Sequence, residues 1–92
     1  MSDTITREIK IVNVKGLHAR AAAKLVEVVE GFDAAAEVGH DGMSAGGDSI
    51  MGLLMLAASQ GSTIDVQTSG PDAKALADAV EALVANRFGE EM

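Results

Sequence analysis

The chain has no cysteine, no tryptophan and no tyrosine, and only two phenylalanines and one proline in 92 residues. Without cysteine there is no disulfide framework and no thiolate metal site. Without an aromatic platform, a single-stranded nucleic acid has no surface to stack on. Positive charge is scarce as well. Seven Lys and Arg stand against fourteen Asp and Glu, for a net charge of −7. That balance argues against nucleic acid, whose backbone selects Lys/Arg-rich faces, and it disfavours an anionic membrane surface. No apolar run approaches the ~20 residues of a membrane-spanning helix. The start, Met1-Ser2-Asp3-Thr4, lacks the charged and apolar regions of a secretory leader. The expectation is therefore a cytoplasmic protein with one domain over 1–92, long enough for a core without staples. That core must be built from Ala, Val, Leu, Ile and Met.

Taken in order, residues 4–14 place Ile5, Ile9 and Ile11 at even separations, with Glu8 and Lys10 between them. Period two predicts a half-buried strand, closed by Lys15-Gly16. Residues 19–31 carry Ala22, Leu25, Val26 and Val29 at i, i+3, i+4 and i+7, one face of a helix that Gly31 stops. Ala34–Val38 could be helical by propensity alone. The Asp41-Gly42 turn signal favours a hairpin instead, of 34–40 with 43–46. Gly46-Gly47 breaks the chain, and Asp48 and Ser49 are both good caps for a short helix over 50–57. Residues 62–69 alternate again, with Ile64 and Val66 on one side and Asp65 and Gln67 on the other. Gly70-Pro71-Asp72 makes a turn with Asp72 as cap. A last helix over 73–87 buries Ala73, Leu76, Ala77, Val80, Leu83 and Val84. The tail from Phe88 to Met92 reads as frayed. The order β-α-β-β-α-β-α, with a central hairpin, indicates an α+β fold.

The chemistry concentrates in Gly16-Leu17-His18-Ala19-Arg20. Gly16 ends the first strand, and His18 falls at the mouth of the first helix. The first amides of a helix have no intrahelical acceptor and lie at the positive end of its dipole, so the N–H groups of Ala19 and Arg20 suit a phosphate. Imidazole is a nucleophile with a near-neutral pKa, able to take a phosphoryl group and give it back. Arg20 supplies a planar fork of donors for phosphate oxygens, although a cation is unfavourable at that end of the dipole. The bland alternative is an ordinary histidine at a cap beside a solvated arginine. His40 lies next to Asp41, but His18, His40 and Asp41 have no metal-ligand spacing.

Gly16-Leu17-His18-Ala19-Arg20, followed by Ala21-Ala22-Ala23-Lys24-Leu25-Val26, resembles the active-site signature of the HPr family. These are the histidine phosphocarriers of the bacterial phosphoenolpyruvate phosphotransferase system. Asp48-Ser49-Ile50-Met51-Gly52-Leu53-Leu54 resembles that family's regulatory-serine segment, about thirty residues downstream as in the family. The likeness runs from about Ile9 to about Leu83. It implies an open-faced sandwich, a four-stranded antiparallel sheet with three helices on one face. It further implies that His18 accepts a phosphoryl group from a histidine of Enzyme I, first charged by phosphoenolpyruvate. His18 then passes it to a histidine of an IIA-type protein, assisted by Arg20. The protein is then a stoichiometric relay rather than an enzyme with its own turnover. It is expected to be a monomer and to use no cofactor or metal.

Ser49 caps a helix on the bland reading. The resemblance implies a regulatory site for HPr kinase/phosphorylase, although the neighbouring Asp48 carboxylate repels a new dianion. A chain used chiefly in this way, as an interaction module switched at Ser49 with His18 little used, is the alternative function. The short helix is apolar almost all round. Leu53 and Leu56/Ala57 can face inward, which leaves Met51, Leu54 and Met55 partly exposed as an adaptable docking patch. The signature departs from the family at Ala21, where proline is usual. Ala21, Gly46-Gly47 and the acidic balance resemble the nitrogen-related regulatory branch, and the branch stays open between that and carbohydrate uptake.

Overall fold

The structure, a computed structural model, describes residues 4–92. Met1–Asp3, read above for a leader, lie outside the described residues. Four strands, β1 (Ile5–Lys10), β2 (Ala35–His40), β3 (Met43–Gly46) and β4 (Thr63–Ser69), form one antiparallel sheet in the order β1-β4-β2-β3. Three helices, α1 (Ala19–Glu30), α2 (Ile50–Met55) and α3 (Ala73–Ala85), cover one face. The resemblance implied this architecture. The alternation in β4 is complete: Ile64, Val66 and Thr68 are buried, and the residues between them are exposed. Val66 lies opposite Arg7 of β1 and Val38 of β2, so β4 is the central rib of the core.

α1 buries Ala22, Leu25, Val26 and Val29 as its periodicity predicts, together with Ala21. A fully buried alanine at position 21 packs well without the proline that is usual there. The hairpin also forms as the Asp41-Gly42 signal predicts, with positive φ at both turn residues (51° and 82°). The alanine-rich start of β2 is thus a strand, because pairing with β4 overrides local propensity.

Several expectations need correction. β1 stops at Lys10 rather than residue 14, since its partner β4 begins at Thr63 opposite Lys10. α2 ends at Met55 and α3 at Ala85, each two residues short of the predicted limit. After α2, Ala57 has φ +52° and is exposed, so Ala58 rather than Ala57 fills the core there. Asp72 stands at the cap position of α3 but does not cap it. Its Oδ2 accepts from the Asp33 amide at 2.8 Å and so ties the turn before α3 to the end of α1.

The largest correction concerns residues 88–92. Phe88 is fully buried, and the segment that carries it forms a 3₁₀ turn over Arg87–Gly89. Arg87 and Phe88 both have positive φ (55° and 54°), which turns the chain back towards α1. Burying a phenylalanine contributes on the order of 2–3 kcal/mol, enough to hold a strained pair of residues in place.

Candidate functional site

The site begins with a glycine that nothing else could replace. Gly16 has φ +66°, and a Cβ there would lie 2.5 Å from the Ala58 carbonyl oxygen and 2.9 Å from the Ser59 Cα. This close approach lets the Leu17 amide donate to the Ala58 carbonyl at 2.9 Å. The two loops that flank the helical layer are thereby locked together, and Leu17 is buried between them.

His18 follows as the N-cap residue of α1, with extended backbone and no side-chain capping bond. Its carbonyl accepts from the Ala22 amide at 2.8 Å, so the helix starts directly behind it. Among the described residues, the amides of Ala19, Arg20 and Ala21 donate to no carbonyl outside the helix. These are the free donors that the sequence places at this helix mouth.

The imidazole is not open on all sides, as an exposed cap would be. Its side chain is 24% exposed, and Nε2 is engaged by Oε2 of Glu90. The other oxygen of Glu90 accepts from Asn13 Nδ2 at 2.8 Å. Asn13 Nδ2 also donates to the Gly16 carbonyl at 2.8 Å, so both of its protons are used. Asn13 is fully buried, and its Oδ1 has no partner. An unpaired buried acceptor costs about 1–3 kcal/mol, so this side chain is held at some expense to stability. The Asn13 amide lowers the Glu90 carboxyl below the usual carboxylate range, and the His18 ring adds to this. Together they outweigh the desolvation that would raise it.

Arg20 is exposed in the first turn of α1 and makes no ion pair among the described residues. It lines an open cleft of roughly 250 Å³ with Lys15, Lys24, Glu90 and Met92. Three cations and two carboxylates, Glu90 and Glu91, therefore share this cleft. A second concavity, of roughly 620 Å³, lies elsewhere on the bare face of the sheet, and no cation lines it. The smaller cleft adjoins the candidate site through Glu90, the residue that engages His18.

The other predicted residues lie on α2, which packs against α1. Ser49 is its N-cap, and its Oγ accepts from the Gly52 amide at 3.1 Å. Asp48 is exposed and makes no cap. Met51 and Met55 are 71% and 67% exposed, whereas Leu54 is half-buried against the core. Ile50, at 40%, joins the exposed set. His40 is not part of this cluster: its Nδ1 donates to the Leu56 carbonyl at 2.8 Å. No group of three His, Asp or Glu side chains able to hold a metal occurs among the described residues.

Sequence reading missed Asn13, Lys24 and Glu90. One signal was available. In a chain with two aromatic residues, a phenylalanine followed by glycine just past a helix is a poor candidate for solvent. Its burial carries the next residues back to the helix mouth.

Comparison with known proteins agrees with this geometry. The family model described as "PTS HPr component phosphorylation site" matches residues 5–86. The phosphocarrier protein HPr of Cupriavidus necator is 45% identical over 86 residues, covering 94% of this chain and 97% of that protein. The phosphocarrier protein NPr of Proteus mirabilis is 41% identical over 86 residues, covering 92% and 96%. Among solved structures, HPr of Thermoanaerobacter tengcongensis superposes with a TM-score of 0.90 at 34% identity, covering 96% of this chain and 99% of that one. The chain belongs to the HPr family, the phosphocarriers of the phosphotransferase system.

Proposed function

We propose that this phosphocarrier holds its phosphoryl group on Nδ1 of His18. The observation that carries the reading is the split environment of the ring. Nε2 is engaged by Glu90, Nδ1 has no hydrogen bond among the described residues, and the helix amides beside it are free. The Nδ1 lone pair forms the new N–P bond as the donor's P–N bond breaks and its electron pair returns to the donor ring. The amides of Ala19 and Arg20, with the Arg20 guanidinium, take the charge on the equatorial oxygens. The donor is a phosphohistidine of an Enzyme I, charged from phosphoenolpyruvate, and the acceptor is a histidine of an IIA-type protein. Ile50, Met51 and Met55, with part of Leu54, form the docking patch, because they are apolar, exposed and on the helix that packs on α1.

The test is incubation with phosphoenolpyruvate, Enzyme I and Mg²⁺. The expected product is an acid-labile, alkali-stable phosphate that is absent from the His18→Ala variant, with circular dichroism unchanged. Acid-stable phosphate alone, placed on Ser49 by a kinase, would refute the carrier reading and favour a regulatory module.

A further inference from the structure

We infer that Glu90 is a positioning residue for His18, fixing which ring nitrogen is free to react. This rests on the carrier reading above and adds to it a residue that lies seventy-two positions away in the chain.

A carboxylate accepts and does not donate. The contact of Glu90 with Nε2 therefore requires the hydrogen on Nε2, and in the neutral ring this leaves the lone pair on Nδ1. A histidine's tautomer is set by the bond its other nitrogen makes. In solution, a free imidazole divides itself between two tautomers, and only one of them can attack from Nδ1. Glu90 selects that one before any donor arrives.

The carboxylate is itself fixed. Asn13, buried and bonded to Gly16, takes its second oxygen. The chain on either side is fastened too. Lys24 Nζ donates to the Phe88 carbonyl at 2.6 Å, and the Val14 amide donates to the Met92 carbonyl at 3.2 Å. Between those two ties, the Glu90 amide donates to the Arg87 carbonyl at 2.9 Å. An exposed, unanchored glutamate would lose much of such a contact to side-chain entropy and solvent. This one has an anchored backbone and a buried partner.

The electron count gives the carboxylate a second task. When Nδ1 forms its bond to phosphorus, Nε2 keeps its proton, so the ring gains a positive charge and none of it leaves as H⁺. Glu90 lies against the nitrogen that carries that proton. When the group departs, the acceptor's ring nitrogen supplies the pair for its new bond to phosphorus, the old N–P pair returns to Nδ1, and the His18 ring is again the neutral Nε2–H form. No proton is exchanged with solvent in either direction. The cleft that holds Glu90 and Glu91 also holds Lys15, Arg20 and Lys24, and these cations offset the repulsion between Glu90 and the phosphoryl oxygens.

The experiment compares wild type with Glu90→Gln, which keeps the shape and removes the charge. Nitrogen-15 NMR of the labelled imidazole reads the tautomer, and phosphotransfer from phospho-Enzyme I reads the rate. The expected result is an Nε2–H ring in wild type, a mixture of tautomers in Glu90→Gln, and transfer slower by on the order of 10-fold or more, because the variant loses both the tautomer preference and the charge facing the developing imidazolium, with an unchanged melting curve. Equal rates in wild type and a folded variant, or a wild-type ring protonated at Nδ1, would overturn the inference. Should the variant melt early, the wild-type tautomer decides alone. A wild type that accepts no phosphoryl group at all overturns the carrier reading and this inference with it, a result distinct from two proteins that accept equally well.

Discussion

Lys24 of α1 donates from Nζ to the carbonyl of Phe88 at 2.6 Å, across sixty-four positions of sequence. The bond holds the segment after α3 against α1 at the point where Phe88 enters the core. Phe88→Ala is therefore expected to cost about 3–5 kcal/mol, as for other large-to-small changes in a core. It is also expected to release Glu90 from His18, so that stability and phosphotransfer fall together. Urea denaturation and the transfer assay, run on the folded fraction, check this. A stable Phe88→Ala protein would show that the segment contributes little to the core.

Arg20→Ala is expected to separate rate from stability. Arg20 is exposed and makes no ion pair among the described residues, so its loss should change unfolding by less than about 0.5 kcal/mol. Removing a donor to developing charge costs ~10²–10³ in rate. Single-turnover kinetics beside a thermal melt make the comparison, and equal transfer rates would refute the role.

Met51→Glu and Leu54→Glu are expected to behave differently, because their environments differ. Met51 is 71% exposed, and its glutamate variant should stay within about 0.5 kcal/mol of wild type in stability while raising the apparent KM for partner proteins. Leu54 is half-buried against the core, and its glutamate should cost on the order of 1–3 kcal/mol as well. Melting curves paired with KM measurements for donor and acceptor test both. A Met51→Glu protein with unaltered KM places the docking surface elsewhere.

Acid should loosen the segment that carries Glu90. The Asn13 amide, with the His18 ring, lowers this carboxyl. A lowered folded value means that the contribution is complete above the ordinary glutamate pKa of ~4.3 and is lost as pH falls through the folded value. Asn13, His18 and Lys15 act on Glu90, and Arg20, Lys24 and Glu91 line the same cleft. Asp78, lowered by Arg7 and then by Lys74, adds a separate acid-sensitive contribution, so the measurement must be a difference. Val14 amide exchange in wild type and Glu90→Gln, followed below pH 5, should show an acid-induced loss of protection that is larger in wild type.

Much of the fold could be read from local pattern because its main elements are amphipathic. Ile64 and Val66 announce a strand, and Leu25, Val26 and Val29 announce a helix face, since burial and periodicity coincide in them. His18 and Arg20 were legible because Gly16 and the helix start give their position away. Glu90 was not, because nothing around it is periodic. Its place follows from two consecutive residues of positive φ and one buried aromatic side chain, and alternation and helical spacing carry no trace of either. Asp72 was misread for a related reason. A cap residue has more than one amide within reach, and here a partner thirty-nine positions away won.

The sheet order has a consequence for how the molecule is made. β1 has β4 as its hydrogen-bonded neighbour, so the first strand leaves the ribosome dozens of residues before its partner exists. The same delay applies to the histidine. The Gly16–Leu17 turn is braced by Ala58, and the ring by Glu90, both synthesised later. Pairings this distant in sequence close slowly, after local helices have formed. A nascent chain thus displays the whole Gly-Leu-His-Ala-Arg signature well before the histidine has either of its supports. Partner proteins in the cell meet a finished site or an unbraced loop, and local sequence alone does not tell them apart.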